Sequence, residues 1–170
     1  MDCRLDKWKV PASWLVAIAT QESGYLSGNP AKQASIQSAD GFSSIGIMQP
    51  IPGTAISLGY RPEDRFDPAK NIDMGAKLIA QGSAKYGGEF PLVAAAYNAG
   101  SARCSPGRNP WNLVVTDNYV GNAVAFNNTA ITALKIGKGL AISATAALFA
   151  GTVVSGVALW VAIDRGWVRI

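Results

Sequence analysis

Residues 139–163 form an unbroken run of 25 residues without a charged side chain, and this run divides the chain. Most of its residues are Ala, Val, Leu, Ile and Gly, and as a helix it would be long enough to span a hydrocarbon core of about 30 Å. Charged residues flank it on both sides, with two tryptophans near its end as interfacial anchors. We therefore predict a transmembrane helix at 139–163, with a buried core helix as the alternative. A linker at 129–138 would precede it, and a short basic tail at 164–170 would follow.

The remaining residues, 1–128, predict one all-α domain. Apolar residues recur at helical spacing in several short segments, some of which end at glycine, and no strand-like alternation extends beyond a few residues. The predicted helices cover residues 11–25, 54–59, 72–86, 90–99 and 118–126. Asp67 or Asn71 is expected to cap the helix at 72–86. The loops between these helices are rich in Ser, Gly, Asn and Pro.

The composition excludes several classes of chemistry. The chain has no histidine, which removes Ser-His-Asp and Cys-His nucleophilic schemes and every histidine-ligated metal site. Its two cysteines, Cys3 and Cys104, are too few for a thiolate zinc site and could either pair or remain free. Neither GxxxxGKS/T nor GxGxxG occurs, so no nucleotide is indicated. We expect no cofactor and no metal, and catalysis would rest on carboxylates, hydroxyls, amides and backbone groups.

The net charge of +4 is concentrated at the C-terminal end. Residues 1–130 contain 11 Lys and Arg against 10 Asp and Glu, whereas residues 131–170 contain 4 against 1. Basic residues do not cluster in the globular part, so we expect no nucleic-acid partner. Charges that flank an apolar run are instead typical of a membrane segment, and a lipid bilayer is the expected partner of 139–163.

Glu22 is the acidic residue with the most unusual surroundings. It is the only acid in the apolar segment 11–25, and at helical spacing it shares one face with Trp14 and Ile18. Burial on that face and the negative end of the helix dipole both disfavour the carboxylate, so the pKa of Glu22 should be raised. A carboxylic acid that stays protonated near neutral pH is what a general acid needs. The alternative is a helix-terminal glutamate that simply reaches water.

Four short motifs follow one another in the chain. They are ESGY at 22–25, SSIGIMQP at 43–50, AYNAG at 96–100 and TDNYV at 116–120. In order and spacing this set resembles the lytic transglycosylases, the SLT-type branch of the lysozyme-like superfamily. The segment FDPAKNI at 66–72 also resembles the connector before that family's long helix. The resemblance extends over most of the predicted globular domain.

The resemblance implies a lysozyme-like domain that cleaves peptidoglycan. The bond would be the β-1,4 linkage between N-acetylmuramic acid and N-acetylglucosamine, and the product a 1,6-anhydromuramyl end. Ordinary glycosidases use two carboxylates, whereas only one acid of this chain stands at a catalytic position of these motifs. In the family's scheme Glu22 donates a proton to the leaving oxygen while the substrate's N-acetyl oxygen stabilises C1. Glu22 then takes the proton of the attacking 6-hydroxyl, so one residue serves as acid and then as base.

The matched positions imply supporting roles around the acid. Gly46 would let backbone and sugar approach closely, and Met48 would form an apolar wall that keeps Glu22 dry. Tyr119 would contact the acid through its hydroxyl group. The expected substrate-binding residues are Ser44, Gly46, Met48, Gln49, Tyr97, Asn98 and Tyr119. Ordinary packing or turn chemistry is the alternative for each of them.

Two departures from the family pattern and one further acid leave different functions open. Val115 and Asp117 replace a Glu and an Arg that the family commonly carries before its last helix. Asp40, if its loop reaches the groove, could position a water and make the enzyme a hydrolase like goose-type lysozyme. The chain could also be a wall-binding module without activity, or a membrane or virion structural protein that carries the domain as a passenger.

The N-terminal residues MDCRLDKWKV are polar and unlike a secretory signal. Because peptidoglycan lies outside the inner membrane, we expect delivery in a bacteriophage particle, where such an enzyme would open the wall locally during genome entry. Other virion or ejection proteins would then be partners. A bacterial inner-membrane protein that faces the periplasm is the alternative.

Overall fold

The computed structural model describes residues 8–24, 36–37, 43–104, 106–107, 110, 112–113 and 117–139. These residues are mostly helical. The helices are α1 (Ala12–Ser23), α2 (Pro52–Ser57), a 3₁₀ helix (Pro62–Phe66), α3 (Pro68–Lys85), α4 (Phe90–Ala99) and α5 (Asp117–Gly139). The strands are β1 (Ile36–Gln37) and β2 (Ser43–Ser44).

Local sequence signals account for the ends of these helices. α1 starts directly after Pro11 and stops at Gly24, which adopts a left-handed conformation with a φ of 58°. α4 stops in the same way at Gly100, with a φ of 74°. Asp67 caps α3, since its carboxylate accepts hydrogen bonds from two backbone N–H groups of the first turn. The structure thereby selects Asp67 over Asn71 as the cap.

The main apolar core lies between α1, α3, α4 and α5. α1 packs chiefly against α5, and α4 packs against both α3 and α5. Trp14 of α1 lies against Phe90 at the start of α4, with ring centroids 5.1 Å apart. The buried members of this core include Ile18, Met48, Ile72, Ile79 and Val93. These contacts hold α1 firmly against the rest of the domain.

A two-residue antiparallel ladder precedes α2. Ile36 pairs with Ser44, and Gln37 pairs with Ser43. So short a ladder has no alternation that could distinguish it in the sequence. The described part of the chain is therefore mostly helical, as predicted, with a short ladder that leads into the segment after β2.

The last of the described helices is longer than the sequence indicates. α5 starts near the predicted position and continues without interruption to Gly139, so residues 129–138, assigned above to a linker, are helical. Among the residues that the structure describes, none of the helices is both long and apolar enough to cross a bilayer. The predicted membrane helix at 139–163 lies, apart from Gly139, outside those residues, as does the tail at 164–170.

Candidate active site

Glu22 lies in the last turn of α1, one residue before the helix ends. It is half-buried and follows Ile18 by one turn, while Trp14 lies a further turn back on the same face. Ile18 is fully buried and Trp14 packs on the apolar core. The face that the sequence assigns to the interior is therefore the buried face, and Glu22 lies at its end.

Tyr119 is a direct polar partner of this carboxyl group. Its hydroxyl donates a hydrogen bond to Glu22 Oε1 across 2.5 Å, although the two residues are 97 positions apart in the chain. Tyr119 lies in the first turn of α5 and is only 7% exposed. The contact follows from the packing of α1 against α5, which brings the end of one helix to the start of the other.

The pKa of Glu22 is raised to about 7 from its ordinary value of 4.5. Burial is the larger effect, because it withdraws the carboxylate from water, and the hydrogen bond from Tyr119 opposes it. The direction agrees with the expectation from the sequence. At neutral pH a substantial fraction of Glu22 therefore carries its proton, as a general acid requires.

Two tyrosines beside Glu22 stay protonated at physiological pH. Burial raises the pKa of Tyr119 and of Tyr97, and the nearby charge of Glu22 raises both further. Both phenols therefore act as hydrogen-bond donors. The Tyr119 hydroxyl contacts Oε1 of Glu22, which leaves Oε2 as the oxygen available to hold the acidic proton.

The segment that follows β2 is held in a tight turn by its own side chains. The Ser44 hydroxyl donates to Gln49 Oε1 across 2.7 Å, and Gln49 Nε2 donates to the carbonyl oxygen of Gly46 across 2.6 Å. Gln49 is 8% exposed and has a positive φ of 50°. These bonds fix Ser44 and Gln49 relative to the backbone of Gly46, so the turn carries them as a unit.

Position 46 requires a glycine because another side chain of the protein packs directly against it. Its φ is 79°, and a Cβ placed there would lie 2.5 Å from Nδ2 of Asn71. Asn71 is buried, and its amide group bonds to the backbone on both sides of Gly46. The sequence indicates a place where a sugar approaches the backbone, whereas the structure adds that Asn71 occupies the side on which a Cβ would project.

Met48 is completely buried and joins the core that surrounds α1. Its side chain belongs to the same apolar cluster as Ile18 and Tyr119. Against α3 it packs so closely that a Cβ on Gly75 would lie 2.4 Å from Met48 Cε. Met48 therefore adds apolar volume to the cluster that packs on α1.

Tyr97 is half-buried, whereas Asn98 next to it on α4 is exposed. The Tyr97 hydroxyl donates to the carbonyl oxygen of Met48 across 2.8 Å, and its ring packs on the main core. The structure thus brings Tyr97 and Met48 together with Glu22 and Tyr119. Asn98 lies at the surface beside this group.

Asn71 contacts the turn of this site, although the sequence does not indicate it as a site residue. The sequence indicates it as a candidate helix cap and, within FDPAKNI, as part of the segment that resembles the family's connector, but assigns it no role in the site. The sequence does contain a second indication of close packing, because Asn71 and Gly75 lie one turn apart beside Ile72 on the helix. A polar residue and a glycine among buried apolar positions indicate close backbone packing.

Other residues singled out in the sequence lie elsewhere. Asp40, Cys3 and Val115 lie outside the described residues. Cys104 is an exposed free cysteine. Asp117 is the first residue of α5.

Several acidic side chains of the described residues have structural partners. Asp64 accepts a hydrogen bond from Lys70 Nζ across 2.6 Å, and Asp73 accepts from Trp8 Nε1 across 2.8 Å. Asp67 caps α3. Glu22 differs from them, since its carboxyl group lies in apolar surroundings beside a phenol and has a raised pKa. Such a group can protonate a leaving oxygen and afterwards accept a proton.

The described residues thus form a helical fold with a half-buried glutamic acid at the end of a core helix, as expected of a lysozyme-like domain. The fold is similar to that of an inactive glutamate-to-glutamine mutant of the lytic transglycosylase Slt from Pseudomonas aeruginosa. The TM-score is 0.53 with 24% identity, and the match covers 81% of this chain and 23% of that chain.

The chain belongs to the transglycosylase SLT domain family, which matches residues 2–108 and so includes Glu22. It is 35% identical over 106 residues to the putative soluble lytic murein transglycosylase of Haemophilus influenzae. It is also 35% identical over 103 residues to the soluble lytic murein transglycosylase of Escherichia coli K12. These alignments cover 58% and 56% of this chain, but only 16% and 15% of the relatives' own length.

Proposed function

We propose that this chain is a peptidoglycan lytic transglycosylase. It would cleave the β-1,4 bond between N-acetylmuramic acid and N-acetylglucosamine and form a 1,6-anhydromuramyl end. The observation that carries the proposal is the Glu22 carboxyl group, with a pKa of about 7 and a hydrogen bond from Tyr119. Family membership and the two murein transglycosylase relatives support the same substrate. The inactive state of the glutamate-to-glutamine Slt mutant supports an essential glutamate.

Glu22 acts first as an acid. The proton on Oε2 passes to the glycosidic oxygen of the leaving N-acetylglucosamine as the bond from that oxygen to C1 of the muramyl residue breaks. The carbonyl oxygen of the muramyl N-acetyl group bonds to C1 and takes up the positive charge. Apolar surroundings favour this step, because they hold Glu22 in its neutral form until the proton leaves.

Glu22 then acts as a base. Once ionised, it accepts the proton of the muramyl 6-hydroxyl as that oxygen attacks C1 and the bond from the N-acetyl oxygen to C1 breaks. Glu22 is thereby neutral again, so the enzyme ends as it began. Tyr119 donates to Oε1 and stabilises the carboxylate in the interval between the two proton transfers.

The glycan would lie against the turn that follows β2 and the end of α4. The turn carries polar groups of Ser44 and Gln49, which suit the hydroxyl and acetamido groups of a sugar, and the buried Met48 packs beneath them. Asn98 is exposed beside Tyr97 on α4 and adds an amide group at the surface. Of the residues expected above, the proposed binding residues are Ser44, Gly46, Gln49, Tyr97, Asn98 and Tyr119. Met48 has no exposed surface and would support the turn from the core instead of touching the glycan.

Digestion of purified sacculi, followed by mass spectrometry of the soluble muropeptides, tests the proposal. We expect 1,6-anhydro ends from the wild type and none from Glu22→Gln, which keeps an acceptor for Tyr119 but loses the acid. The variant should still sediment with sacculi. Glu63→Gln, at an exposed glutamate, is the matched control and should digest as the wild type does.

Two outcomes would contradict the proposal in different ways. Reducing ends from the wild type would indicate a hydrolase, the function that Asp40 would serve. A wild type that binds sacculi but releases no product would indicate a wall-binding module.

The proposal extends to a membrane anchor at 139–163, which the uncharged run and its charged flanks support. Delivery in a virion stays a prediction of the sequence. Mass spectrometry of purified phage particles and of bacterial inner membranes tests it. Detection in particles would support the virion setting, and detection in the inner membrane alone would support a bacterial protein.

A further inference from the structure

Asn71 is a buried polar side chain that bridges two parts of the fold beside the proposed site. It is 1% exposed and lies near the start of α3. Its Oδ1 accepts a hydrogen bond from the backbone N–H of Met48 at 2.8 Å. Its Nδ2 donates to the carbonyl oxygens of Ile45 and Arg65, both at 2.9 Å. One side chain thus binds segment 45–48 at both of its ends and ties it to the 3₁₀ helix.

The backbone of Met48 is held from two helices at once. Its N–H donates to Asn71 of α3, and its carbonyl oxygen accepts from the Tyr97 hydroxyl of α4. Both partners are side chains, so the position of Met48 depends on these two residues. Met48 in turn belongs to the apolar cluster that contains Ile18 and Tyr119, which flank Glu22 from α1 and α5.

The fit between Asn71 and Gly46 is steric as well as polar. A Cβ on Gly46 would lie 2.5 Å from Asn71 Nδ2 and 2.8 Å from its Cγ, well inside van der Waals contact. The bare glycine therefore lets the Asn71 amide group lie directly against the turn. Since that turn carries Ser44 and Gln49 as a unit, a displacement of Asn71 would move both side chains.

We propose that Asn71 is a positioning residue, which holds segment 45–48 in the conformation that shields Glu22 and presents the turn to the glycan. This inference rests on the proposed function, because the glycan is the ligand that the turn would contact. Asn71 does not touch the reacting atoms and acts through the backbone of the segment. A displacement of about 1 Å in such a segment is enough to lower a reaction rate by about 100-fold.

Asn71→Ala and Asp73→Ala form a matched pair for the test. Both remove a buried polar side chain from α3, but Asp73 accepts its hydrogen bonds from Trp8 and Tyr60 rather than from segment 45–48. We expect Asn71→Ala to lower kcat/KM on soluble glycan strands by about 10- to 100-fold, chiefly through a higher KM, while still folded. Asp73→Ala should lose thermal stability as well, but keep kcat/KM per folded molecule within about twofold.

The pH profile separates positioning from structural support alone. If the segment loosens in Asn71→Ala, water reaches Glu22 and lowers its pKa, so the descending limb of kcat/KM should move to lower pH. The same limb should stay in place in Asp73→Ala. The inference would be overturned if Asn71→Ala had the same kcat/KM as Asp73→Ala and its kcat/KM fell over the same pH range as that of the wild type.

A second variant keeps the test decisive if Asn71→Ala does not fold. Asn71→Asp keeps the size of the side chain and the acceptor for the Met48 N–H, but loses the NH2 group that donates to the carbonyl oxygens of Ile45 and Arg65. We expect kcat/KM to fall by about 3- to 10-fold, chiefly through a higher KM. A normal kcat/KM in Asn71→Asp would then overturn the inference. A wild type that releases no product would instead refute the proposed function, so the two failures are distinguishable.

Discussion

At the scale of single residues, two opposing effects set the charge of Glu22. Burial favours the neutral acid and the Tyr119 hydroxyl favours the carboxylate; burial prevails, and the pKa of Glu22 is about 7. A general acid works only while it is protonated, so activity should be high below this pKa and fall as the pH rises through it. Exposure of Glu22 to water should therefore move the decrease in activity to lower pH, and loss of the Tyr119 hydrogen bond should move it to higher pH.

Tyr119→Phe should move the descending limb of the kcat/KM profile to higher pH. The variant keeps the ring in the core but removes the hydrogen bond that lowers the pKa of Glu22. The maximal rate should also fall by about tenfold, because the carboxyl group loses a partner that orients it. Tyr60→Phe, which removes a hydroxyl bonded to Asp73 instead, is the control. A limb that stays in place or moves to lower pH would contradict this account.

Glu22→Gln should stabilise the protein at alkaline pH but not at acidic pH. The folded-state pKa of about 7 lies above the ordinary value of 4.5, so the native protein holds this proton more tightly than the unfolded chain does. The contribution of Glu22 to stability is therefore complete below about pH 4.5 and is lost as the pH rises through about 7. At alkaline pH the free energy of unfolding of the wild type should therefore be lower by about 3 kcal/mol because of this group, and Glu22→Gln should not show that decrease.

Denaturant unfolding of the wild type and Glu22→Gln, at about pH 4 and about pH 8, measures this difference. Glu63→Gln, which replaces an exposed glutamate, controls for the general effect of losing one negative charge. An equal difference between wild type and Glu22→Gln at both pH values would argue against a buried acid at position 22.

At the scale of secondary structure, segment 45–48 packs against α3 at a polar residue, Asn71, and a glycine, Gly75. Asn71 and Gly75 are one turn apart on this helix, and the side chain of Met48 packs where a Cβ of Gly75 would be. Glycine in a helix interior costs about 1 kcal/mol relative to alanine. Gly75 is therefore explained by the close approach of Met48 and not by the needs of the helix itself.

Gly75→Ala should destabilise the protein, contrary to helix propensity. The new Cβ would meet three atoms of Met48 at 2.4 to 2.9 Å, and Met48 is fully buried. We expect a loss of about 1–3 kcal/mol, typical of an overpacked core, together with lower activity as Met48 is displaced. Gly53→Ala in α2 is the matched control, because nothing lies within 4 Å of its new Cβ. Thermal unfolding decides, and equal stability of the two variants would contradict the packing argument.

At the scale of the whole molecule, the site exists only when distant parts of the domain meet. Glu22 belongs to α1 and its partner Tyr119 to α5, 97 residues later. The contact between these two helices also buries Ile18 and Ala123, so loss of α5 would remove the hydrogen bond and part of the core together. The chemistry at Glu22 is therefore expected to disappear with cooperative unfolding of the domain.

A chain that ends at residue 139 should keep the activity, whereas one that ends at residue 113 should not fold. The longer one contains Glu22, Tyr119 and segment 45–48, so its sacculus digestion should stay within about twofold of the full chain. It should lose binding to lipid vesicles, because it lacks the predicted membrane helix. Digestion and vesicle sedimentation measure the two properties separately. Lost digestion would contradict the site as described, and retained vesicle binding would contradict the anchor.

Much of the fold was predictable because its signals are local. Pro11, Gly24 and Gly100 mark helix ends through their own backbone preferences, and Asp67 caps the turn that directly follows it. The buried face of α1 was readable from the spacing of its apolar residues, which also placed Glu22 on that face. The length of α5 was not readable, because residues 127–129 (Asn-Asn-Thr) are weak helix formers that the tertiary structure nevertheless keeps helical.

The sites of the α-helices and the place of one acid on a buried face follow from the sequence alone, since both depend on neighbours within a few turns. The partners of that face depend on how the helices pack together. The hydrogen bond from Tyr119, the place of Asn71 against Gly46 and the fit of Met48 on Gly75 all join residues more than 20 positions apart. Such contacts depend on how whole helices pack against one another. In the sequence, this close packing is indicated only by a small or polar residue at a position where an apolar residue is expected.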